Sequence, residues 1–231
     1  MKKVYLSKGA HRALTTYLTR LGCHVETVDH ANATYYPVST HPDIFMCRLG
    51  VWENPDIFRG NIRNLRPSYP GNIIYNAVCT GKYFIHNLKY TDPQLLYAAG
   101  KWKSSRCVSA GELIPVDVPQ GYTRCCCLPV DDTSFITSDN GIARALSATG
   151  ADVLTIEQGH ILLPGFDYGF IGGCAGHILT PGSRRAILFN GDVASHPDGK
   201  KILNFIRQRN ITTVYFHEYP LTDIGSILAL W

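Results

Sequence analysis

The chain has 231 residues, a net charge of +4 and 45% hydrophobic residues. A chain of this length and composition can bury a substantial core, and we expect a single domain over residues 1–231. No cluster of Lys and Arg exceeds two adjacent residues, which excludes the basic footprint of a nucleic-acid-binding protein. Nothing approaches a long uninterrupted apolar run either, so we expect no membrane-spanning helix and no membrane partner.

The eight cysteines predict reduced thiols rather than a disulfide framework. The apolar run Val4–Leu6 is too short for the core of a signal peptide, and disulfides are not expected without secretion. The sequence therefore predicts a cytoplasmic protein. The contiguous Cys125–Cys127 lacks the C-x-x-C spacing of zinc sites, and we expect neither a metal ion nor an organic cofactor.

The first part of the chain predicts a strand over Lys3–Ser7, a helix over Gly9–Leu21 and a strand over His24–Val28. A further strand is predicted over Asp43–Leu49. Residues 50–71 contain three prolines and no helical pattern, and they predict a loop. A loop of this length inside a compact domain is uncommon and often functional, for instance as a lid.

The middle of the chain repeats one order of elements: strand, strand, helix, strand. The three predicted copies span residues 76–109, 125–156 and 170–216. Phe84, Phe135 and Phe189 occupy the same position in these copies. They lie about 50 residues apart, a period typical of propellers and solenoids.

A fourth copy requires both ends of the chain. Asp223–Leu230 predicts a strand without a following helix, and Lys3–Ser7 predicts a strand without a preceding partner. A degenerate copy over residues 43–71 brings the number of units to about five. We therefore predict an α/β fold, a closed α/β propeller of about five ββαβ units, with the ring closed by pairing of the N- and C-terminal strands. Closure would remove exposed sheet edges, which favour aggregation.

Cys174 is the sharpest candidate for a catalytic residue. It lies in Gly172–His177, where small neighbours leave the sulfur accessible, and a nucleophilic cysteine needs a nearby base. His160 and His177 are the nearest histidines in sequence. The alternatives are a small cysteine packed under a sheet and a structural histidine at position 160.

Four aspartates lie at the starts or ends of predicted strands: Asp43, Asp139, Asp192 and Asp223. In a ring of repeats, equivalent strand ends converge on the axis, so these carboxylates would line a central cavity. Such a cavity suits a guanidinium cation, which forms two parallel hydrogen bonds with a carboxylate. The alternative for Asp139 and Asp192 is that they cap helices.

The order of the units resembles the pentein, or guanidino-group-modifying, superfamily. Pro42–Phe45 is similar to the Pro-Asp-x-x-Phe that opens the first unit in many members, and Gly159–Ile161 resembles the segment with their acid/base histidine. The chain also resembles a small bacterial branch of the superfamily. This resemblance rests on three segments, residues 165–173, 121–122 and 136–139. Members include arginine and agmatine deiminases, dimethylarginine hydrolase and amidinotransferases, and a ribosome-binding initiation factor shares the fold without the chemistry.

This resemblance implies a Cys/His-dependent hydrolase or transferase that acts on a guanidino or amidino compound. Cys174 would attack the guanidinium carbon and His160 would transfer protons. The residues that bind this small cationic ligand would be Asp43, Asp167 and His177.

The last predicted strand supports a second hypothesis. Catalytic members carry their cysteine in the last unit, whereas Asp223–Leu228 contains none. The alternative is therefore a catalytically inactive protein of the same fold. It would bind a ligand or a protein partner, with the 50–71 loop and the Gly-rich surface of residues 165–176 as its contact regions.

Overall fold

A computed structural model describes residues 2–30, 33–106 and 111–231. The helices are α1 (Arg12–Arg20), α2 (Pro42–Phe45), α3 (Pro93–Arg106), α4 (Thr123–Cys126), α5 (Asn140–Ser147) and α6 (Gly199–Arg207). The strands are β1 (Lys3–Ser7), β2 (His24–Val28), β3 (Met46–Leu49), β4 (Asp56–Arg59), β5 (Val78–Cys79), β6 (Tyr83–His86), β7 (Ile114–Asp117), β8 (Cys127–Pro129), β9 (Ser134–Thr137), β10 (Asp152–Thr155), β11 (Ala175–Thr180), β12 (Arg184–Phe189), β13 (Thr212–Val214) and β14 (Leu228–Leu230). Among the described helices, none combines the length and the apolar character that crossing a membrane requires.

The described strands form four separate sheets. Three sheets have three strands each, in the orders β14–β1–β2, β10–β9–β8 and β11–β12–β13, and the fourth has the order β4–β3–β5–β6–β7. In each three-stranded sheet the central strand pairs antiparallel with one neighbour and parallel with the other. The parallel pairs are joined through α1, α5 and α6, which is the predicted order of strand, strand, helix and strand.

The predicted pairing of the first and last strands is confirmed. β1 runs antiparallel to β14, with Tyr5 opposite Leu228. On the other side β1 runs parallel to β2, and α1 connects these two strands. Leu14 and Leu18 of α1 are fully buried in the same core cluster as Val4, as expected for residues four apart on one helix face.

The predicted closed α/β propeller of about five ββαβ units is wrong. The described strands lie in four separate sheets, and none of these is closed or curled into a barrel or propeller. The expected fifth unit does not form a sheet of its own. Its strands β3 and β4 pair with each other, and β3 joins β5 in parallel through Leu49 and Cys79, so they extend a neighbouring sheet. The fold is mixed α/β, with six α-helices among the described residues.

Several predicted elements begin or end elsewhere. The strands expected at residues 43 and 125 start only at Met46 and Cys127, each after the helical turn of α2 or α4. The loop at residues 50–71 contains β4, which pairs with β3. The strand expected at 170–171 is β11, which lies a few residues later. The strand expected at 106–109 lies almost entirely outside the described residues, and β7 pairs with β6 instead.

The three repeated phenylalanines are buried, as their periodicity predicts. Phe84 is 2% exposed, and Phe135 and Phe189 are completely buried. Each belongs to a different core cluster, so the apolar repeat supplies one anchor to each of three regions. Full burial of a phenylalanine side chain contributes about 1.5–3 kcal/mol.

A buried histidine fixes the segment that leads into α4. The His86 ring lies between Thr91 and Gly121, with Nδ1 2.7 Å from the Thr91 hydroxyl and Nε2 3.2 Å from the Gly121 carbonyl oxygen. Nε2 donates to this carbonyl, which leaves Nδ1 to accept from Thr91. Burial lowers the pKa of His86 to about 4, although the nearby Asp117 carboxylate acts in the opposite direction.

We predict that His86 makes the folding stability fall as the pH is lowered from 6.5 towards 4. The ring binds a proton less readily in the folded chain than in the unfolded chain, where the ordinary pKa of 6.5 applies. Stability is therefore gained as the pH rises through this window and lost as it falls. The loss from pH 7 to pH 5 is roughly 2 kcal/mol for this group.

Urea denaturation at pH 7 and pH 5 measures this effect. His86→Gln removes the titrating group and is expected to show a smaller loss of stability between the two pH values than the wild-type protein. His24→Gln, at an exposed position on β2, is the control and is expected to behave like the wild type. An unchanged pH dependence in His86→Gln would refute the assignment.

Candidate functional site

A buried polar cluster lies where the turns that precede β3, β5, β8 and β14 meet. The carboxylate of Asp43 accepts hydrogen bonds from the Ser226 hydroxyl at 2.6 Å and from the Cys125 thiol at 3.1 Å. The Asn76 amide donates to the Asp43 carbonyl oxygen and to the Cys125 sulfur. The cluster is completed by His41 and Asp223. We refer to these six residues as the polar cluster.

The helical turns α2 and α4 place Asp43 and Cys125 just before the first strands of their units. Each turn ends where the first strand of its unit begins, so the third residue before β3 is Asp43 and the second before β8 is Cys125. Pro42 occupies the first turn of α2, where its missing N–H has no helical partner to lose. The Asp43 N–H bonds to the Gly225 carbonyl oxygen, which ties α2 to the segment before β14.

The backbone before β14 adopts a left-handed conformation at two successive residues. Gly225 has φ of +68°, and Ser226 has φ of +72°. A Cβ at position 225 would overlap the side chain of His41, so glycine is required there for close approach as well as for its φ. A positive φ is uncommon for serine, and such strain concentrates at functional sites. Here it directs the Ser226 hydroxyl towards Asp43.

The Gly-rich segment before β11 makes room for Asp223. A Cβ on Gly169 or Gly173 would overlap the Asp223 side chain. The carboxylate accepts from the Phe170 N–H at 3.0 Å and from the Gly225 N–H at 2.9 Å. The glycines expected to mark a ligand site therefore allow the backbone to approach a buried carboxylate closely.

His41 places an imidazole nitrogen near the Asp223 carboxylate but forms no hydrogen bond with it. Its Nδ1 lies 3.9 Å from Asp223 Oδ1, and the side chains are 4% and 1% exposed. Nδ1 has no hydrogen-bond partner among the described residues. Burial lowers the pKa of His41, so the ring is neutral and the nitrogen can carry a free lone pair.

The acidic groups of the cluster are hard to ionise because they are buried. Burial raises the pKa of Asp43 and raises that of Asp223 to about 6. Burial, followed by the nearby Asp43 and Asp223, raises the pKa of Cys125 well above its ordinary value. The Arg124 guanidinium opposes the rise in the pKa of Asp223, but it donates its hydrogen bonds to the carbonyl oxygens of Gly172 and Ala175 and not to a carboxylate. The cluster thus holds a protonated thiol beside two carboxyl groups whose ionisation burial opposes.

Three members of the cluster, His41, Cys125 and Asp223, line a cavity of about 180 Å³. The rest of its wall is mainly aromatic and consists of Tyr35, Val38, Tyr122, Leu163, Phe166, Tyr168 and Phe170. We call this the aromatic cavity. A second cavity of about 450 Å³ shares His41 and Asp223 but has a mixed wall that includes Ser7 and Lys8. We place the candidate site in the aromatic cavity because Cys125 lines it.

The predicted catalytic pair lies elsewhere. Cys174 is completely buried, its thiol donates to the Ile171 carbonyl oxygen, and burial raises its pKa well above the ordinary value. The His160 ring is exposed and pairs with Glu157 at 3.1 Å. Neither of these residues lines the aromatic cavity.

The other predicted residues fall into different environments. Asp43 lies at the centre of the polar cluster, whereas Asp167 is exposed. His177 is buried, with Nε2 2.7 Å from the Pro129 carbonyl oxygen and its ring against Trp52. Asp139 accepts from the Ile142 N–H at the start of α5, and Asp192 accepts from the Ala194 N–H. The capping alternative for these two aspartates is confirmed.

Sequence reasoning missed His41, Asn76, Cys125 and Ser226 as site residues. Cys125 and Asp43 both lie in a helical turn just before the first strand of a unit. An alignment of the units at these turns, however, pairs Asp43 with Arg124 and not with Cys125. His41, Asn76 and Ser226 carry no comparable pattern.

Two comparisons with known proteins bear on the chain. The profile of a family described as "Family of unknown function (DUF6873)" matches residues 53–228. This range includes Cys125, Asp223 and Ser226 but begins after His41 and Asp43. No curated protein matches the chain.

We predict that Gly173→Ala destabilises the protein by about 1–3 kcal/mol. The added methyl group would overlap the Asp223 carboxylate, which cannot move without losing its two backbone donors. Gly100→Ala is the matched control. Its added Cβ meets no atom within 4 Å, and alanine in an exposed helix is expected to stabilise by about 0.5–1 kcal/mol. Urea denaturation measures both, and a fully stable Gly173→Ala would contradict the packing argument.

Proposed function

The chain belongs to DUF6873, a family of unknown function, and we propose that it is a thiol-dependent hydrolase or transferase acting on a guanidino or amidino compound. A single observation carries the proposal. Cys125, His41 and Asp223 lie side by side on the wall of an aromatic cavity. Cys125 takes the role that the sequence suggested for Cys174, and His41 takes that of His160.

The wall of the cavity suits a cationic head group. A guanidinium can donate two parallel hydrogen bonds to the Asp223 carboxylate, and aromatic faces such as those of Tyr122 and Tyr168 attract a desolvated cation by about 2 kcal/mol. A bound cation also favours the ionised form of Asp223, whose pKa burial raises to about 6. The substrate would thus place a positive charge beside the Asp223 carboxylate.

The reaction begins with loss of the Cys125 proton. The cationic substrate lowers the cost of forming a thiolate beside it, and His41 Nδ1, which is neutral and unpaired, accepts the proton. The sulfur then attacks the central carbon of the guanidino or amidino group, and a tetrahedral adduct forms. This adduct expels an amine or ammonia, which takes its proton from His41.

The second half of the reaction releases the product. The remaining amidino group is bound to sulfur, and its carbon is attacked by water in a hydrolase or by an amine in a transferase. His41 removes a proton from this nucleophile. The carbon–sulfur bond breaks, and Cys125 regains a proton.

Asp43 acts as a positioning residue in this scheme. It does not line the aromatic cavity, but its carboxylate holds the Cys125 thiol at 3.1 Å. The Ser226 hydroxyl donates a hydrogen bond to the same carboxylate oxygen. The sulfur is thereby fixed towards the cavity wall before any ligand binds. The proposal includes a cytoplasmic location, since the chemistry requires a reduced thiol and the described cysteines are free.

A ligand-binding protein without catalysis is the second candidate. The observation that favours it is the hydrogen bond from the Cys125 thiol to a carboxylate, because two acidic neighbours oppose the thiolate. In this case Asp223 and the aromatic wall would hold the cation, and no bond would break. The two candidates differ in whether ammonia, an amine or urea is released.

We predict that Cys125→Ala abolishes turnover of guanidino compounds. The assay is release of ammonia, amine or urea from arginine, agmatine and dimethylarginine. Loss of the nucleophile is expected to lower the rate by about 10³-fold or more. Cys174→Ala removes an equally buried thiol outside the cavity and is expected to keep its activity. Turnover by Cys125→Ala would exclude this mechanism, and binding without turnover by the wild-type protein would favour the second candidate.

We predict that Asp223→Asn weakens binding of the same compounds by roughly 10- to 100-fold, as expected for loss of a charge-assisted hydrogen bond. Isothermal calorimetry measures the affinity, with the exposed Asp167→Asn as the control. Circular dichroism establishes that each variant is folded. The ligand-induced shift in melting temperature of the wild-type protein provides a second measure that needs no variant. Equal affinities for Asp223→Asn and the wild type would contradict the proposed contact.

A further inference from the structure

The polar cluster also has the composition of a metal site. We infer that His41, Cys125 and Asp223 bind a Zn²⁺ ion through Nδ1, Sγ and a carboxylate oxygen, with the fourth coordination position open to the aromatic cavity. The sequence predicted no metal, because its three contiguous cysteines lack a zinc spacing. The ligands identified here are brought together by the fold from positions 41, 125 and 223.

The geometry is close to that of an occupied site. The three ligand atoms lie within 4.8 Å of one another, and the separation between His41 Nδ1 and Asp223 Oδ1 is 3.9 Å. Zinc bonds of 2.0–2.3 Å in a tetrahedral arrangement place ligand atoms about 3.3–3.8 Å apart. Binding therefore requires the ligand atoms to approach one another by at most about 1.5 Å, which side-chain rotations achieve.

His41 Nδ1 is the observation that indicates a ligand. This nitrogen is buried and lacks a hydrogen-bond partner among the described residues, and a buried polar atom without a partner is costly. A metal ion accepts its lone pair and removes this cost.

The ligand set selects the metal. A thiolate and an imidazole are poor ligands for Mg²⁺ and Ca²⁺, which prefer oxygen. Sulfur, nitrogen and oxygen ligands together suit Zn²⁺. The ion displaces the proton of the Cys125 thiol, which leaves to solvent, and it adds positive charge beside the Asp223 carboxylate.

The open fourth position has a consequence for ligand binding. Three protein ligands with one exchangeable position are typical of zinc sites that take up a small molecule. Asp223 and Cys125 would be occupied by the ion, so Zn²⁺ and a guanidino head group would exclude each other. This exclusion rests on the proposed function, whereas the metal site does not.

Cobalt substitution tests the site directly. The full chain is stripped of metal with a chelator and titrated with Co²⁺, whose thiolate complexes absorb through sulfur-to-cobalt charge transfer. We expect this band to saturate at one equivalent and to disappear when Zn²⁺ is added. Cys125→Ser is expected to lose the band, His41→Gln to weaken cobalt binding by at least about tenfold, and Cys174→Ser to match the wild type. No band in the wild-type protein, or an unchanged band in Cys125→Ser, would overturn the inference.

A second measurement avoids any variant that fails to fold. Alkylation of the wild-type protein, followed by mass spectrometry, reports the rate at which each thiol reacts. Zn²⁺ is expected to slow modification of Cys125 and to leave that of the partly exposed Cys23 unchanged. Equal rates for Cys125 with and without Zn²⁺ would refute the site.

Competition separates this inference from the proposed function. Zn²⁺ is expected to raise the apparent dissociation constant of a guanidino compound in proportion to its concentration. Metal binding in a protein that binds no guanidino compound would refute the proposed function and leave the metal site standing. Guanidino binding that is insensitive to saturating Zn²⁺ would show that the two do not share Asp223 and Cys125.

Discussion

The buried carboxylate of Asp43 is the interaction on which the candidate site depends. Its two donors, Cys125 and Ser226, lie 82 and 183 residues away in sequence. A carboxylate in an apolar interior is costly unless hydrogen bonds compensate it, so the turns that carry these donors are held together strongly. Loss of Asp43 would leave the Cys125 thiol without this acceptor, and the Ser226 hydroxyl would keep only the Gly172 carbonyl oxygen.

Much of the fold follows from local patterns in the sequence. The buried phenylalanines, the helices α1, α5 and α6, and the pairing of β1 with β14 were all predicted from periodicity and repetition. The turns α2 and α4 were not, because a helix of four residues is too short to show a helical period. The merging of β3 with the sheet of β5 depends on one long-range pair, Leu49 with Cys79, which no local pattern reveals. That merging is why the expected ring of five units is wrong.

The candidate site, like the fold, was only partly predictable from the sequence. Sequence reasoning recognised Asp43 and Asp223 as carboxylates at strand ends, and the structure places both in one cluster. It chose Cys174 because small neighbours suggested an accessible sulfur. The structure gives those neighbours another role, since Gly173 packs against Asp223 while Cys174 points into the core. Accessibility depends on which sheets lie above a residue, and composition alone does not contain that information.

The long separation between Asp43 and Ser226 sets an order of events during synthesis. Asp43 leaves the ribosome early, and its second donor follows only after 183 further residues have been added. Until Ser226 has been added, the Asp43 carboxylate lacks this donor. The complete polar cluster therefore requires nearly the whole chain, and a product truncated before Ser226 would lack the second donor to the Asp43 carboxylate.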